Sequence, residues 1–312
     1  MSTKISFISP CFNEEGNVNK FYELVQKRMN ISSYDYEIVF IDDGSKDATF
    51  DRLKELYYND KSHIKVISFL HNFGKEAAIL AGLKNADGDY FCTIDSDCQQ
   101  DPEYALEMAK ILNKNEKLDM VAACPSNEKD PSSLAFFKKC FYNIINAISS
   151  VPFKQGASDF RVFRKCVRDA IVSMPEHNRF SKGIFSWVSP NFECTDYEVE
   201  VRMSGESKWN FWKLFKYAVE GICSFSHAPL LIPIGIGIFE FVIAFLLLIA
   251  QIIGGIAGLH FNFTLRWLIM LILVLTGMQS ISTGIIGQYV SKIHTETMNR
   301  PQYIIKETLE EI

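Results

Sequence analysis

The stretch Tyr90–Pro102, YFCTIDSDCQQDP, places an apolar run directly before a dense group of carboxylates and amides. Residues 90–94 have the character of a short buried strand, and Asp95 and Asp97 follow at its C-terminal end. Ligands bind at that edge of an open parallel sheet, so both carboxylates are expected to face a pocket. Two carboxylates one residue apart, with an amide at Gln99, suit a hard cation such as Mg2+ or Mn2+. A solvated turn is the alternative interpretation of so short a motif.

Strand and helix patterns alternate on both sides of this stretch. The predicted strands are Lys4–Ser9, Glu37–Ile41, His63–Phe69, Tyr90–Ile94 and Asp119–Ala123. The predicted helices are Val18–Met29, Ala48–Tyr57, Lys75–Lys84 and one that begins at Pro102. This alternation predicts an α/β domain with a mostly parallel sheet covered on both faces. Polar loops follow three of the strands, at residues 13–15, 42–45 and 95–99, and we expect one pocket to collect them.

Composition excludes several classes of function. The chain has 312 residues and a net charge of -5, which gives no sign of nucleic-acid binding. Its eight cysteines are scattered without a CxxC pair, so neither a zinc site nor a disulfide framework is predicted. No G-x-G-x-x-G opens the first helix and no P-loop motif is present, which disfavours dinucleotide dehydrogenases and P-loop NTPases.

The C-terminal part of the chain is overwhelmingly apolar. Leu230–Ile253 and Leu268–Tyr289 each reach the roughly 20 residues that a helix needs to cross a bilayer, so two transmembrane helices are predicted. Basic residues flank the pair: Lys208, Lys213 and Lys216 precede it, and Lys292, Arg300 and Lys306 follow it. This distribution places both ends, and the α/β domain, in the cytoplasm. The expected organisation is a domain at 1–206, a juxtamembrane segment at 207–228, the helix pair at 229–290 and a cytoplasmic tail at 291–312.

Three features of the apolar region stand out. The stretch 209–217 mixes aromatic residues with lysines and fits a membrane interface. Glu240, inside the first predicted span, is costly in lipid and should face a partner helix or water. Small residues at Gly277, Ser280, Gly284 and Gly287 lie on one face of the second span and permit close helix approach, within a chain or between protomers. A homo-oligomer is expected.

Several motifs, taken in order, resemble a known enzyme family. SPCFNEEGN (9–17), DDGSKD (42–47), HNFGKEAAILAG (71–82) and DSDCQQDPE (95–103) are similar to the successive motifs of family 2 glycosyltransferases with a GT-A fold. GASDFRVF (156–163), NRFSKGIFSWV (178–188) and SKWNFWKL (207–214) resemble the branch that glycosylates polyprenyl phosphate, which includes bactoprenol glucosyltransferases and dolichol-phosphate mannose synthases. The resemblance extends over about the whole chain.

The resemblance implies roles for individual residues. Donor nucleotide and phosphate binding would fall to Pro10, Asn13, Glu15, Asp42, Asp43, Lys75, Asp95, Arg179, Lys182 and Lys208. The metal ligands would be Asp95, Asp97 and Gln99. Catalysis would fall to Asp159, which faces the acceptor, with Asp97 and Arg161. Plainer interpretations are an N-terminal helix acid for Glu15, a turn former for Asp42 and a surface cation for Arg179.

Two departures from the family pattern weaken the expected contacts to phosphate. His71 stands where relatives commonly have Arg, and the segment CPSNEKDPSS (124–133) lacks the paired arginines often found there.

The resemblance implies an inverting, metal-dependent hexosyltransferase of the bacterial cytoplasmic membrane. It would transfer glucose from a UDP-sugar to undecaprenyl phosphate at the cytoplasmic face, and a flippase is a possible partner. N-acetylglucosamine, galactose or mannose remain open as the sugar. Direct glycan or glycolipid synthesis is a second enzymatic alternative, and a nucleotide-sugar-binding scaffold for a flippase is a non-enzymatic one.

Overall fold

The computed structural model describes residues 3–126, 142–143, 145–147, 149, 151, 153–154, 156–177, 179–198, 228–256 and 265–311. Lys208, the aromatic stretch 209–217 and most of the predicted juxtamembrane segment lie outside these residues. The connection between the two apolar segments, residues 257–264, lies outside them as well.

The described residues form one eight-stranded sheet with helices packed on it. Its strands are β1 (Lys4–Cys11), β2 (Asp35–Asp42), β3 (Ile64–Phe69), β4 (Tyr90–Thr93), β5 (Met120–Pro125), β6 (Arg161–Arg164), β7 (Glu193–Tyr197) and β8 (Ile305–Leu309). The helices are α1 (Val18–Met29), α2 (Thr49–Asn59), α3 (Lys75–Asn85), α4 (Glu103–Lys114), α5 (Lys165–Ser173), α6 (Ser181–Val188), α7 (Leu231–Ile256) and α8 (Leu265–Thr297), and a 3-10 turn at Ala228–Leu230 precedes α7. Each predicted strand and helix of the first 125 residues is confirmed, with small shifts at the ends.

The strand order is β7-β5-β6-β4-β1-β2-β3-β8. The central pairs β4-β1, β1-β2 and β2-β3 are parallel, as the alternation of strand and helix predicted. The inserted strand β6 is antiparallel to both β4 and β5, and β7 is parallel to β5. Because β1, β2 and β4 run in the same direction, the loops that follow them leave from one edge of the sheet.

Alternating side chains of the central strands fill a core on each face of the sheet. On β1, Ile5 and Phe7 belong to the core that α1, α2 and α4 cover, whereas Ile8 belongs to the core under α3. Helix α3 lies close to the sheet because Gly82 has no side chain; a Cβ there would collide with the side chains of Ile8 and Ile41. This close packing fixes the start of α3 beside the loop edge.

The C-terminal segment, expected only as a tail, returns to the sheet and completes its edge. Strand β8 pairs antiparallel with β3, from Val66 opposite Leu309 to Phe69 opposite Ile305. Tyr303 stacks on Phe69 with ring centroids 5.0 Å apart. The edge of β3 is therefore covered by a strand from the far end of the chain, which blocks pairing with other molecules.

The two apolar segments form α7 and α8, which pack against each other. Among the residues that the structure describes, no helix has both the length and the apolar composition needed to cross a membrane.

A cavity of about 510 Å³ lies between α7 and α8. Glu240 of α7 and Thr276, Gln279 and Ser282 of α8 contribute its polar lining. Glu240 thus faces a partner helix, as expected of a carboxylate in an apolar segment, and its buried Oε1 has no hydrogen-bond partner in the described part of the chain.

Two cysteines that the sequence does not pair lie together in the structure. The sulfur atoms of Cys124, at the end of β5, and Cys194, on β7, are in contact, with Cα atoms 5.8 Å apart. The two residues are 70 positions apart in sequence, so only the pairing of β5 with β7 reveals their proximity. Cys11, Cys92 and Cys98 are buried free thiols, as predicted for small core residues.

Candidate active site

A pocket of about 310 Å³ opens where the loops after β1, β2 and β4 meet the start of α3. Its lining consists of Pro10, Cys11, Phe12, Glu14, Asp43, Asn72, Gly74, Lys75, Asp95, Ser96 and Asp97. Five of the predicted site residues, Pro10, Asp43, Lys75, Asp95 and Asp97, are in this lining. Each of the three polar loops contributes to this lining, through Glu14, through Asp43, and through Asp95 and Asp97, as expected for loops at one edge of the sheet.

Asn13 and Glu15 shape the loop after β1 instead of lining the pocket. The Asn13 side-chain oxygen accepts a hydrogen bond from the Lys46 N–H at 2.9 Å, and its backbone adopts a left-handed φ of 57°. Glu15 accepts a hydrogen bond from the Ala48 N–H at 2.9 Å, directly before α2. Both residues therefore hold the loop after β1 against the loop after β2.

Two buried carboxylates, the last residue of β2 and the residue after it, have different partners. Asp42 accepts hydrogen bonds from the Ser45 N–H at 3.0 Å and the Ser68 hydroxyl at 2.8 Å, so it forms the turn that was the plainer interpretation. Asp43 accepts hydrogen bonds from the backbone N–H groups of Phe73 at 2.7 Å and Gly74 at 2.9 Å.

Asp43 therefore connects the loop after β2 to the turn before α3. Burial raises the pKa of Asp43, and the neighbouring Asp42 adds to that rise against the opposing N–H bonds. Gly44 permits the close approach of the two loops: its φ is +66°, and a Cβ there would lie 2.5 Å from the carbonyl carbon of His71. His71, where relatives commonly carry Arg, is exposed and stacks on Phe73 with ring centroids 3.9 Å apart.

Asp95 and Asp97 lie immediately after β4, and the backbone around them is fixed by amides. Asp97 accepts a hydrogen bond from the Gln99 N–H at 3.1 Å. The side chain of Gln100, which the sequence did not single out, accepts a hydrogen bond from the Asp95 N–H at 3.2 Å. The predicted ligand Gln99 is not part of the pocket lining, whereas the two predicted carboxylate ligands, Asp95 and Asp97, are.

The donor set of this loop fits Mg2+ or Mn2+. The described residues contain no group of three or more His, Cys, Asp or Glu side chains placed to hold a metal ion by themselves. Mg2+, however, is usually bound through one or two carboxylates, with substrate phosphates and water as the remaining ligands. Asp95 and Asp97 could hold such an ion together with a bound diphosphate.

Lys75 joins the two sides of the site. Its Nζ lies 2.7 Å from an Asp95 oxygen and 3.4 Å from an Asp159 oxygen. Burial disfavours the charged amine, but the two carboxylates outweigh burial and raise the pKa of Lys75. We call this arrangement the Lys75 bridge, since it links a predicted metal ligand to the residue predicted to face the acceptor.

Asp159 is ionised in this environment. Burial alone would raise its pKa, but the positive charges of Lys75, Lys182 and Arg161 outweigh burial and lower the pKa of Asp159 to about 2. Its backbone carbonyl accepts a hydrogen bond from the Thr93 hydroxyl at 2.6 Å, which fixes Asp159 beside β4. The carboxylate is therefore a permanent negative charge at neutral pH.

The predicted phosphate-binding cations differ in position. Arg161 is 1 % exposed and packs over the rings of Phe185 and Phe192, at 4.9 Å and 5.6 Å. Arg179 is turned towards the end of α5 and donates hydrogen bonds to the carbonyl oxygens of Met174 at 3.2 Å and Ile171 at 3.1 Å. The structure does not bring these two guanidinium groups to the pocket surface, whereas Lys182 is partly exposed and its charge reaches Asp159.

The sequence does not predict a role for Glu76, the carboxylate that follows Lys75. Glu76 accepts hydrogen bonds from Ser181, at the start of α6, through both its backbone N–H and its hydroxyl. Its position in the first turn of α3 resembles that of an ordinary helix N-terminal acid, and its partner is 105 residues away. No local sequence signal distinguishes the two situations.

Comparison with known proteins identifies the family of this chain. The model of the family "Glycosyl transferase family 2" matches residues 6–164. A putative glycosyltransferase, CsbB, from Bacillus subtilis is 38% identical over 307 residues, which cover 97% of this chain and 91% of that protein. A prophage-derived bactoprenol glucosyl transferase from Shigella flexneri is 38% identical over 309 residues, which cover 98% of each chain.

A solved structure shows the same fold. Glucosyl-3-phosphoglycerate synthase from Mycobacterium tuberculosis, in complex with Mn2+, UDP-glucose and glycerol 3-phosphate, superposes with a TM-score of 0.51 at 16% identity. The match covers 71% of this chain and 78% of that chain. The family model and the two relatives of nearly full length show that this chain belongs to glycosyltransferase family 2 and is similar to the bactoprenol glucosyl transferases.

Proposed function

We propose that this glycosyltransferase transfers a hexose, with glucose as the first candidate, from a UDP-sugar to a polyprenyl phosphate such as undecaprenyl phosphate. The observation that supports this proposal most directly is the Lys75 bridge, because it holds a donor-side carboxylate and an acceptor-side carboxylate around one cation. The relatives named as bactoprenol glucosyl transferases match this chain over nearly its full length, which supports a lipid acceptor.

On the donor side, the pocket formed by Pro10, Asp43 and the Asp95–Asp97 loop is assigned to the nucleotide and its diphosphate. The departing diphosphate gains negative charge, and a divalent ion held by Asp95 and Asp97 would supply electrostatic stabilisation of that charge. The Lys75 ammonium group lies beside Asp95 and offers a second positive charge to a phosphate oxygen.

On the acceptor side, Asp159 is assigned an orienting role. A phosphate monoester has its second pKa near 6, so the lipid phosphate is mostly a dianion at neutral pH and needs no strong base. The low pKa of Asp159 fits a fixed charge better than a proton acceptor. A phosphate oxygen of the acceptor attacks the anomeric carbon, the bond from that carbon to the diphosphate breaks, and UDP leaves from the opposite face, which inverts the anomeric configuration.

The helix pair is assigned to the bacterial cytoplasmic membrane, with the α/β domain on the cytoplasmic side. Large apolar side chains of α7 and α8 are exposed, among them Phe241 at 72%, Ile256 at 84% and Ile281 at 61%. A contiguous exposed apolar surface marks a site of contact with membrane or protein. The phosphate of a membrane-embedded polyprenyl acceptor lies at the headgroup level, so anchoring would keep the enzyme where its acceptor is.

The protein is expected to assemble with another molecule through α8. Among the described residues, a Cβ added at Gly277, Gly284 or Gly287 would meet nothing within 4 Å, so within this part of the chain that face of α8 is open to another helix. A second copy of the chain is the expected occupant, and a flippase that moves the product across the membrane is the alternative.

Transfer of radiolabel into extracted lipid tests the proposal. UDP-glucose, UDP-N-acetylglucosamine, UDP-galactose and GDP-mannose would each be offered with undecaprenyl phosphate in vesicles. Label from UDP-glucose in the lipid fraction supports the proposal. Label only in a polymer or a preformed glycolipid would favour direct glycan synthesis, and nucleotide-sugar binding without transfer would favour the scaffold.

A further inference from the structure

Glu76 lies at the junction of two elements that carry predicted site residues. It follows Lys75 in the first turn of α3, but its carboxylate is directed at the start of α6 and not into the pocket. The Ser181 N–H donates to both Glu76 oxygens, at 3.1 Å and 3.2 Å, and the Ser181 hydroxyl donates to Oε2. Lys182, whose charge acts on Asp159, is the next residue of α6.

A carboxylate in this place is not explained by packing. Glu76 itself is half-buried, and the residues that follow it in α3, Ala77 to Leu80, are buried and apolar. A carboxylate that loses part of its hydration is unfavourable unless hydrogen bonds compensate for that loss. The hydrogen bonds of its carboxylate come from Ser181, 105 residues away, and not from the first turn of its own helix. Its interactions are directed at α6 instead, where a negative charge is favoured by the N–H groups of the first turn.

We propose that Glu76 is a positioning residue that fixes the start of α6, and with it Lys182, opposite Asp159. Lys75 and Glu76 are adjacent in sequence and have different roles. Lys75 contacts both Asp95 and Asp159. Glu76 holds the start of α6 at a fixed position relative to these two carboxylates. Because α6 borders the acceptor side, the contribution of Glu76 is to acceptor transfer and not to nucleotide binding. This inference deepens the proposed function and rests on it.

Glu76 is half-buried, so its ionised form depends on the groups that surround it. Burial raises the pKa of Glu76, and the negative charge of Asp159 raises it further, whereas the Ser181 hydrogen bonds and Lys75 lower it. Loss of the Ser181 contacts would therefore remove a main stabilisation of the ionised carboxylate. Glu76 and Ser181 should act as one unit in mutational tests.

The test uses the full-length enzyme in lipid vesicles, with undecaprenyl phosphate as acceptor and UDP-glucose as donor. Glu76→Gln, Ser181→Ala and the double variant are compared with Glu55→Gln, which removes the same charge at an exposed position on α2. We expect Glu76→Gln to lower kcat/KM for the acceptor by roughly 10- to 100-fold, with the affinity for UDP-glucose changed by less than about twofold. The double variant should be no worse than the more severe single variant, and Glu55→Gln should match the wild type.

Three results would overturn the assignment: an equal loss of UDP-glucose affinity, full additivity of the two substitutions, or unchanged acceptor kinetics in Glu76→Gln. Thermal unfolding of each variant shows whether an activity loss is due to unfolding, and Glu76→Asp and Ser181→Thr provide milder changes if Glu76→Gln does not fold. Wild-type transfer to the lipid is measured in the same assay. Its absence would count against the proposed function, whereas its presence with an unaffected variant counts against Glu76 alone.

Discussion

Large apolar side chains are buried in the α/β domain but exposed on the helix pair α7–α8. In the domain, Phe7, Phe40 and Phe163 are 0% exposed and lie in the two cores that flank the sheet. On the helix pair, Phe239 is 57% and Phe245 is 52% exposed. Removing apolar surface from water is favourable by roughly 25 cal/mol per Å². Exposed phenylalanines in water would therefore forgo the stabilisation that the buried phenylalanines of the domain gain. The proposed anchoring of the helix pair in a membrane would account for this difference.

The largest effect should come from the domain and be independent of the helix pair. Asp97→Asn should reduce transfer to background with both a membrane-embedded and a short water-soluble prenyl phosphate, because it removes a charge from the loop assigned to the metal. Calorimetry should show little change in unfolding temperature, since Asp97 lies in a surface loop. Wild-type activity should vanish in EDTA and return with Mn2+ or Mg2+; full activity in chelator would contradict the metal assignment.

The next effect should separate the two regions. Replacing residues 229–297 by a flexible linker, while keeping 298–312, should lower transfer to undecaprenyl phosphate in vesicles by roughly 10²- to 10³-fold, because confinement to the membrane raises the effective acceptor concentration. A short water-soluble prenyl phosphate should lose little. The C-terminal residues must be retained because β8 completes the sheet. An unchanged rate with the long lipid would mean that tethering is not what the helices contribute.

Within the domain, a smaller effect should distinguish donor chemistry from acceptor chemistry. Asp159→Asn should keep UDP-sugar binding by calorimetry but lower kcat by roughly 10²-fold, because the acceptor loses its orienting charge. The wild-type carboxylate, with a pKa of about 2, stays ionised as the pH falls well below neutrality. A loss of rate at acidic pH should therefore come from the protonation of another group. The same loss should be seen in Asp159→Asn. Loss of nucleotide affinity in this variant would contradict the acceptor assignment.

The smallest effect should come from a contact between the sheet and the segment that joins α8 to β8. Tyr303, between α8 and β8, stacks on Phe69 and lies 5.6 Å from the Lys84 ammonium group. Tyr303→Ala should lower the free energy of unfolding by about 1–2 kcal/mol, the sum of lost burial and lost ring stacking. Denaturant titration measures this change. Ile31→Ala, at an 80% exposed position of the same domain, should stay within about 0.5 kcal/mol of wild type, and an equal loss in both variants would contradict the role of Tyr303.

The parts of this structure that the sequence predicts are those with a local signal. Strands β1 to β5 are apolar runs that end in polar loops, and the shared direction of β1, β2 and β4 places Asp43 and Asp95 at one pocket. Strand β8, IKETL, has no such signal because it is an edge strand with several exposed side chains, and it pairs with a strand more than two hundred residues earlier.

The direction in which individual side chains point could not be predicted from the sequence either. Arg161 has the residue type of a phosphate ligand, yet the aromatic rings that enclose it come from distant segments of the chain. Arg179 likewise turns to carbonyl oxygens at the end of α5. In each case the residue type indicates a charge, and only tertiary contacts determine where that charge is directed.

Completion of the sheet edge by β8 has a consequence for biosynthesis. The partner strand β3 is made early, but its outer hydrogen-bonding groups remain unpaired until residues 305–309 have left the ribosome. By then α7 and α8 have already emerged, so the catalytic domain receives its last strand only after the helix pair has been synthesised. Leu70, whose N–H donates to the Ile304 carbonyl oxygen at 2.9 Å, marks where this final closure begins. A nascent chain stalled within α8 would therefore carry a nearly finished active site on an open sheet, exposed to chaperones and to edge-to-edge pairing.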